Sequence, residues 1–221
     1  MKRVGVVLSG CGVFDGSEIH EAVLTLLYLD QHGAEIRCFA PDKPQMHVVN
    51  HYTKQPQAEE TRNVLTESAR IARGEIAPLA KMNLDQLDAV IFPGGFGAAK
   101  NLCNFAVAGP ACEIDPDVAR IIHDAHAKGK VIGAICIAPA LVARAFKGEA
   151  GVSPTVTIGT DAATAGALRE MGATNQAASV SDVVVDAKNK IVTTPAYMLG
   201  PTISKVAQGI EKLVKKVLEM A

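Results

Sequence analysis

One cysteine in this chain stands out by its surroundings. In VIGAICIAPA, residues 131–140, Cys136 ends an apolar run and precedes an alanine-rich stretch carrying Pro139. A strand predicted over 130–135 and a helix over 138–146 put the sulfur at a strand-to-helix turn. A strained turn of that kind exposes its side chain, as in the serine nucleophile elbow. The helix N-terminus is expected to lower the thiol pKa from roughly 8.5 toward neutrality. The chemistry would be nucleophilic attack through a covalent intermediate. The alternative is a sulfur that fills space, since cysteine is among the most buried residue types. Spacing alone leaves both readings open.

Two carboxylates are candidates to partner the sulfur. Glu18 and Glu21 lie one turn apart on a helix predicted over 17–32 and share a face. Asp15-x-x-Glu18 has the form of a capping box, which gives Glu18 a structural duty. Glu21 has none; it belongs to a narrow polar stripe with Thr25, Tyr28 and His32, where a solvated glutamate is the plain alternative. The rest of the helix is apolar almost all round, which predicts burial on more than one side. In FPGGFGAAKN, residues 92–101, Gly94 and Gly95 let backbone N–H groups approach a ligand and are expected to form an oxyanion pocket. A tight turn without a ligand fits the same spacing.

Other motifs fall short. Neither Gly10-Cys11-Gly12 nor Gly95-Phe96-Gly97 completes G-x-G-x-x-G, and no P-loop is present, so no nucleotide cofactor is expected. His47 and His51 have i, i+4 spacing but no H-E-x-x-H around them, and Pro41, Pro44 and Pro56 argue against a helix there; no metal site is expected. His20, His123 and His126 read as surface histidines.

These residues need a scaffold. Strand signals at 4–9, 35–40, 88–92, 130–135 and 155–158, and a hairpin at 183–194, alternate with helical patterns at 17–32, 59–73, 115–128, 138–146, 161–171 and 200–219. That alternation predicts βαβ units and a mostly parallel sheet covered on both faces. Ligands in such sheets bind beyond the carboxyl ends of the strands. Residues 41–58 and 99–115 lack periodicity and are expected to be excursions near a site. One domain over 1–221 is expected from the length of 221 residues.

Composition narrows the functions. With 22 basic and 23 acidic side chains, no global field attracts nucleic acid or an anionic membrane. No segment reaches eighteen apolar residues. Five cysteines without C-x-x-C spacing point to free thiols in a reducing cytoplasm.

PGGFGAAKNL, the elbow GAICIAPAL and a glutamate twelve residues before Gly33 together resemble the ThiJ/PfpI superfamily. VVLSGCGVFDGSEIHE, CFAPD, ETRNVL, TIGTD and IVTTPAYML are similar to its ElbB-like branch of isoprenoid-biosynthesis-associated proteins, also described as glyoxalases, and the similarity spans nearly the whole chain. The resemblance implies a flavodoxin-like three-layer α/β/α sandwich of the class I glutamine amidotransferase-like kind. It further implies Cys136 as nucleophile with Glu21 beside it, Gly94 and Gly95 facing the thiol, no cofactor and a homodimer. It implies a small aldehyde substrate: glyoxal, converted to glycolate through a cysteine hemithioacetal. Glu18, Ile137, Thr160 and Asp161 are expected to complete the pocket. Ile137 stands where proteolytic and amidotransferase relatives carry histidine, and TIGTD contains none. A Cys-His-acid triad therefore cannot be assembled, and neither activity is expected. The rival reading is a redox-sensing or regulatory protein linked to isoprenoid biosynthesis with little or no catalysis. A scaffold that keeps the fold without the chemistry is the third.

Overall fold

Valine-rich runs without alternation are buried on both faces, as a parallel sheet requires. The computed structural model, which describes residues 1–200 and 202–221, has such a sheet at its centre. Its strands are β1 (Arg3–Val7), β2 (Glu35–Ala40), β5 (Ile76–Pro78), β6 (Ala89–Phe92), β7 (Val131–Ile135), β10 (Val184–Asp186) and β11 (Ile191–Thr194). Their order is β10-β11-β7-β6-β1-β2-β5. All neighbours pair in parallel except the β10–β11 hairpin at one edge. Two short ribbons lie outside this sheet: β3 (Val49–Asn50) with β4 (Gln55–Pro56), and β8 (Thr155–Val156) with β9 (Thr174–Asn175).

Strand residues alternate between two cores. Val90, Phe92 and Ile132 face α5 (Pro116–Ala127), α6 (Pro139–Ala145) and α7 (Ala162–Glu170). Ala89, Ile91 and Val131 face α1 (Ile19–Gln31), α2 (Val64–Ile71) and α8 (Ile203–Met220). The layers are therefore α/β/α. In α8, Val206, Ile210, Leu213, Val214 and Val217 are fully buried at helical spacing, and each such side chain contributes roughly 1.5–3 kcal/mol. Strand order reverses direction between β1 and β6, so their carboxyl ends open the crevice where α/β sheets bind ligands.

Several boundaries differ from the sequence-based expectation, for physical reasons. The helix expected over 59–73 is confined to Val64–Ile71, because Asn63 caps it by accepting the Thr66 N–H. The strand expected over 155–158 pairs only at Thr155–Val156, and with Thr174–Asn175 rather than in the main sheet. β5 was not expected: it is a half-buried edge strand ending in proline. Two short helices, α3 (Phe96–Lys100) and α4 (Phe105–Ala108), occupy a region without periodicity. The last helix, expected from 200, runs from Ile203; Pro201 lies outside the described residues. Helix α1 is not buried all round, since Ile19, Val23 and Leu27 are exposed.

Candidate active site

Cys136 is the first residue after β7 and adopts φ 61°, a left-handed conformation. For a non-glycine residue this costs on the order of 1–3 kcal/mol. The Cys136 N–H donates to the Thr194 carbonyl at 2.9 Å, so neighbouring β11 holds the elbow in place. The side chain is 7% exposed, at the floor of a cavity of about 350 Å³.

Glu21 comes from the first turn of α1 and is fully buried. Its Oε2 accepts the Gly94 N–H at 3.0 Å and its Oε1 the Tyr197 N–H at 3.3 Å. The same carboxylate is packed beside Cys136, the two crowding one point over Gly94. Gly94 makes this contact possible. A Cβ there would stand 2.6 Å from both Cys136 Cβ and Glu21 Oε2, and 2.8 Å from the Ile135 carbonyl. Any side chain at position 94 would wedge the pair apart.

Burial dominates the electrostatics. It lifts the Glu21 carboxyl from 4.5 to about 8, helped by the charge of Glu18 and opposed by the N–H of Tyr197, the thiol and the N–H of Gly94. Burial also pushes the Cys136 thiol well above its ordinary value, reinforced by the Glu21 charge. The N–H groups of Gly95 and Ile137 reach the sulfur and pull the other way. The expectation that a helix terminus depresses the thiol pKa is overturned. Helix α6 begins only at Pro139, and desolvation of the charged form outweighs the dipole. Thiol and carboxyl titrate as a pair.

Four further expectations are corrected. Gly94 does not offer its N–H to a ligand, because Glu21 already accepts it. Gly95, at φ 93° before α3, and Ile137 are the residues whose N–H groups face the sulfur. Asp15 and Glu18 form no capping box: Glu18 is itself the cap, accepting the Glu21 N–H at 2.8 Å while lining the cavity. Asp15 is buried and accepts the Val49 N–H at 2.7 Å. Thr160 and Asp161 are exposed and do not line the cavity. Asp161 caps α7 through the Thr164 N–H at 2.7 Å, and Thr164 takes the expected place in the wall. Glu21 leaves the polar stripe for the interior because loop 93–95 packs over the start of α1, where Glu18 N–H donates to the Gly94 carbonyl at 3.0 Å.

Val13, Phe96, Phe105 and Met198 make the walls apolar, and Tyr197 adds a phenol. Its Oη lies 2.7 Å from His20 Nδ1. The motif IVTTPAYML carried a signal for Tyr197, since it follows a strand at its carboxyl end. The sequence placed 92–101 and 99–115 near a site, and Phe96, Ala99, Phe105 and Ala106 from these stretches line the cavity, although none was singled out as a wall residue. His51 Nε2 accepts the Phe14 N–H at 3.2 Å. Among the described residues no group of histidine, cysteine and carboxylate side chains is placed to hold a metal ion.

A mostly parallel three-layer sandwich with a cysteine elbow beyond its central strands defines the class I glutamine amidotransferase-like fold of the DJ-1/ThiJ/PfpI superfamily. Solved structures agree. The isoprenoid biosynthesis protein with amidotransferase-like domain from Ehrlichia chaffeensis superposes with a TM-score of 0.93 and 36% identity over 100% of this chain and 99% of that one. A DJ-1 superfamily protein from Salmonella typhimurium shares the fold at a TM-score of 0.57 and 22% identity, covering 99% and 91% of the two chains. No protein-family model matches the chain. Among curated proteins, it is 49% identical over 227 residues to the Homo sapiens glutamine amidotransferase-like class 1 domain-containing protein 3, mitochondrial, covering 99% of this chain and 83% of that protein. It is 48% identical to the Rattus norvegicus ES1 protein homolog, mitochondrial, covering 99% and 84%. The chain belongs to this family of glutamine amidotransferase-like class 1 domain proteins.

Proposed function

We propose that the chain is a cofactor-independent glyoxalase that converts glyoxal to glycolate. The observation that carries this reading is Cys136, which lines an apolar cavity together with Gly95 and Ile137, packed against the fully buried Glu21, which does not line the cavity itself. In the active form the pair holds one proton. Glu21 takes it from sulfur as the thiolate bonds to one aldehyde carbon, and the carbonyl oxygen becomes an oxyanion received by the Gly95 and Ile137 N–H groups. Glu21 returns the proton to that oxygen, completing the hemithioacetal. It then takes the proton from the same carbon to give an enediolate, the hydroxyl proton passes to the neighbouring oxygen, and Glu21 delivers its proton to the neighbouring carbon as the first C–O bond becomes a carbonyl. The result is a glycolyl thioester. Water cleaves its C–S bond, the thiol regains a proton, and glycolate leaves.

At about pH 7 only about one pair in ten has lost its first proton if that step lies near 8. Turnover at limiting substrate is therefore expected to rise with pH through about 8. The cavity is wider than a two-carbon dicarbonyl, so α-ketoaldehydes with small apolar substituents belong to the same substrate class. The test follows glyoxal loss and glycolate formation by NMR, for the wild type and for Cys136→Ala. Full consumption by the alanine variant overturns the scheme.

The second reading is a redox sensor or regulator linked to isoprenoid biosynthesis; the name of the Ehrlichia relative supports the isoprenoid link alone. It is ranked lower because oxidant sensitivity follows thiolate character, and desolvation with the Glu21 charge holds the Cys136 thiol protonated. The homodimer is also proposed, on the exposed row of Ile19, Val23 and Leu27 along α1. No helix among the described residues is long and apolar enough to cross a membrane. Five free cysteines fit a reducing compartment. The cytoplasm is proposed on that ground, although the curated relatives carry "mitochondrial" in their names.

A further inference from the structure

Cys103 and Cys112 take no part in the Cys136–Glu21 pair. They are 5% and 1% exposed and flank residues 104–111, which comprise α4 and a 3-10 turn over Gly109–Ala111. Phe105 and Ala106 of α4 form one wall of the cavity over Cys136. The ends of the segment are laced together. Cys103 pairs with Ile114 in an antiparallel bridge. The Asn104 N–H donates to the Glu113 carbonyl at 3.1 Å and the Asp115 N–H to the Leu102 carbonyl at 2.9 Å. In that register Cys103 and Cys112 lie diagonally opposite on one face. The Cys103 thiol donates to the Ala98 carbonyl at 3.4 Å and the Cys112 thiol to Met171 Sδ at 4.0 Å. Cys103 borders an open groove of about 260 Å³ shared with Lys43, Asn104 and Glu113, which gives a small solute a route to Cys103.

We propose that Cys103 and Cys112 are a redox modification site, closed by a hydroperoxide into a reversible disulfide that tethers the α4 wall of the cavity. The thiolate of the pair attacks one peroxide oxygen, and the O–O bond breaks. The departing hydroxide takes the remaining thiol proton and leaves as water. The second sulfur, now a thiolate, attacks the sulfenic sulfur, forms the S–S bond and expels hydroxide. Two sulfurs are oxidised and the peroxide oxygens are reduced. The charge balance favours this pair over Cys136. Neighbouring Cys103 draws the Cys112 thiol down against its burial, with Arg144 and Lys147 contributing, while the Cys103 thiol is itself pushed up. Both cations are anchored on the segment, donating to the Cys112 and Pro110 carbonyls.

Closure reaches the cavity through geometry. Diagonal partners in a regular ladder stand roughly 7–8 Å apart, whereas a disulfide prefers Cα atoms about 5.5–6 Å apart. Forming the bond therefore draws the segment inward, with Phe105 and Ala106 on it. Gly109, at φ 53°, gives it a bend point.

The site is independent of the glyoxalase reading, and so is its test. Reduced full-length chain, freed of reductant, is treated with stoichiometric hydrogen peroxide and mapped by mass spectrometry of non-reduced peptides. The expected product is a Cys103–Cys112 cross-link that appears before any change at Cys136. Alkylation of the still-reduced Cys136 is expected to change several-fold and to recover after dithiothreitol. Cys103→Ser and Cys112→Ala should each abolish the cross-link and the response. If neither variant folds, the wild-type arms decide. Over-oxidation of either cysteine without a cross-link overturns the proposal, as does a cross-link that leaves Cys136 alkylation unchanged.

Discussion

Replacing Glu21 with glutamine removes a charge from beside the Cys136 sulfur while keeping the shape of the side chain. Both groups crowd the same point over Gly94, which places them roughly 5 Å apart or less. A unit charge at roughly 5 Å in an effective dielectric near 20 is worth about 3 kcal/mol, or about two pKa units. The Glu21 charge is among the causes that raise the thiol. Glu21→Gln therefore lowers the thiol pKa and increases the thiolate fraction by about a hundredfold wherever the carboxylate is ionised. Lower basicity makes each thiolate less nucleophilic, with a Brønsted slope of about 0.5, so the net gain is about tenfold. The assay is the iodoacetamide alkylation rate of Cys136, followed by peptide mass spectrometry. Near pH 9 the variant should react about tenfold faster than the wild type. At about pH 6.5 the two rates should converge, because Glu21, titrating near 8, is protonated and uncharged in the wild type. Glyoxal turnover should fall in the same variant, since the proton carrier is gone. Equal or slower alkylation near pH 9 would refute the electrostatic reasoning.

Gly94→Ala should abolish glyoxal turnover and disturb Cys136 alkylation, because its Cβ would meet Cys136 and Glu21 at 2.6 Å; a wild-type rate would show that the pair tolerates separation. Glu21 also couples folding to pH. Its folded pKa of about 8 lies above the ordinary 4.5, so its contribution to stability is full below about 4.5, falls as pH rises, and levels off above about 8. Urea midpoints should show the wild type losing about 3 kcal/mol between about pH 6 and 8.5, a loss that Glu21→Gln escapes. Asp161→Ala should leave turnover unchanged but lower the urea midpoint, since that carboxylate caps α7. Val23→Asp should weaken self-association in sedimentation if the exposed row on α1 is a dimer contact.

The carboxyl ends of β1, β6 and β7 were readable from the sequence because long apolar runs, glycine-rich turns and intervening helices carry periodic signals. Cys136 and Glu21 were legible for different reasons. The cysteine follows a strand, while the glutamate is singled out by the superfamily resemblance, since on pattern alone it sat in a solvated stripe. Its burial comes from loop 93–95 packing over α1, a long-range contact that no local pattern records. The roles of Gly94 and Asp161 were misjudged because backbone N–H groups are spent on side chains whose direction depends on tertiary packing. Residues 99–115 read as an excursion near a site, but the helices α3 and α4 within the cavity wall were not legible, for a simpler reason. These helices are too short to show a period, and tertiary contacts fix them.

The central claim is that Cys136 forms the covalent intermediate and Glu21 moves its protons. Its most direct test is mass spectrometry of acid-quenched protein during turnover of isotopically labelled glyoxal, run on the wild type, Cys136→Ala and Glu21→Gln. The account predicts a labelled two-carbon adduct on the Cys136 peptide of the wild type, its accumulation in Glu21→Gln, and no adduct and no glycolate with Cys136→Ala. Glycolate formed by Cys136→Ala at the wild-type rate would contradict it.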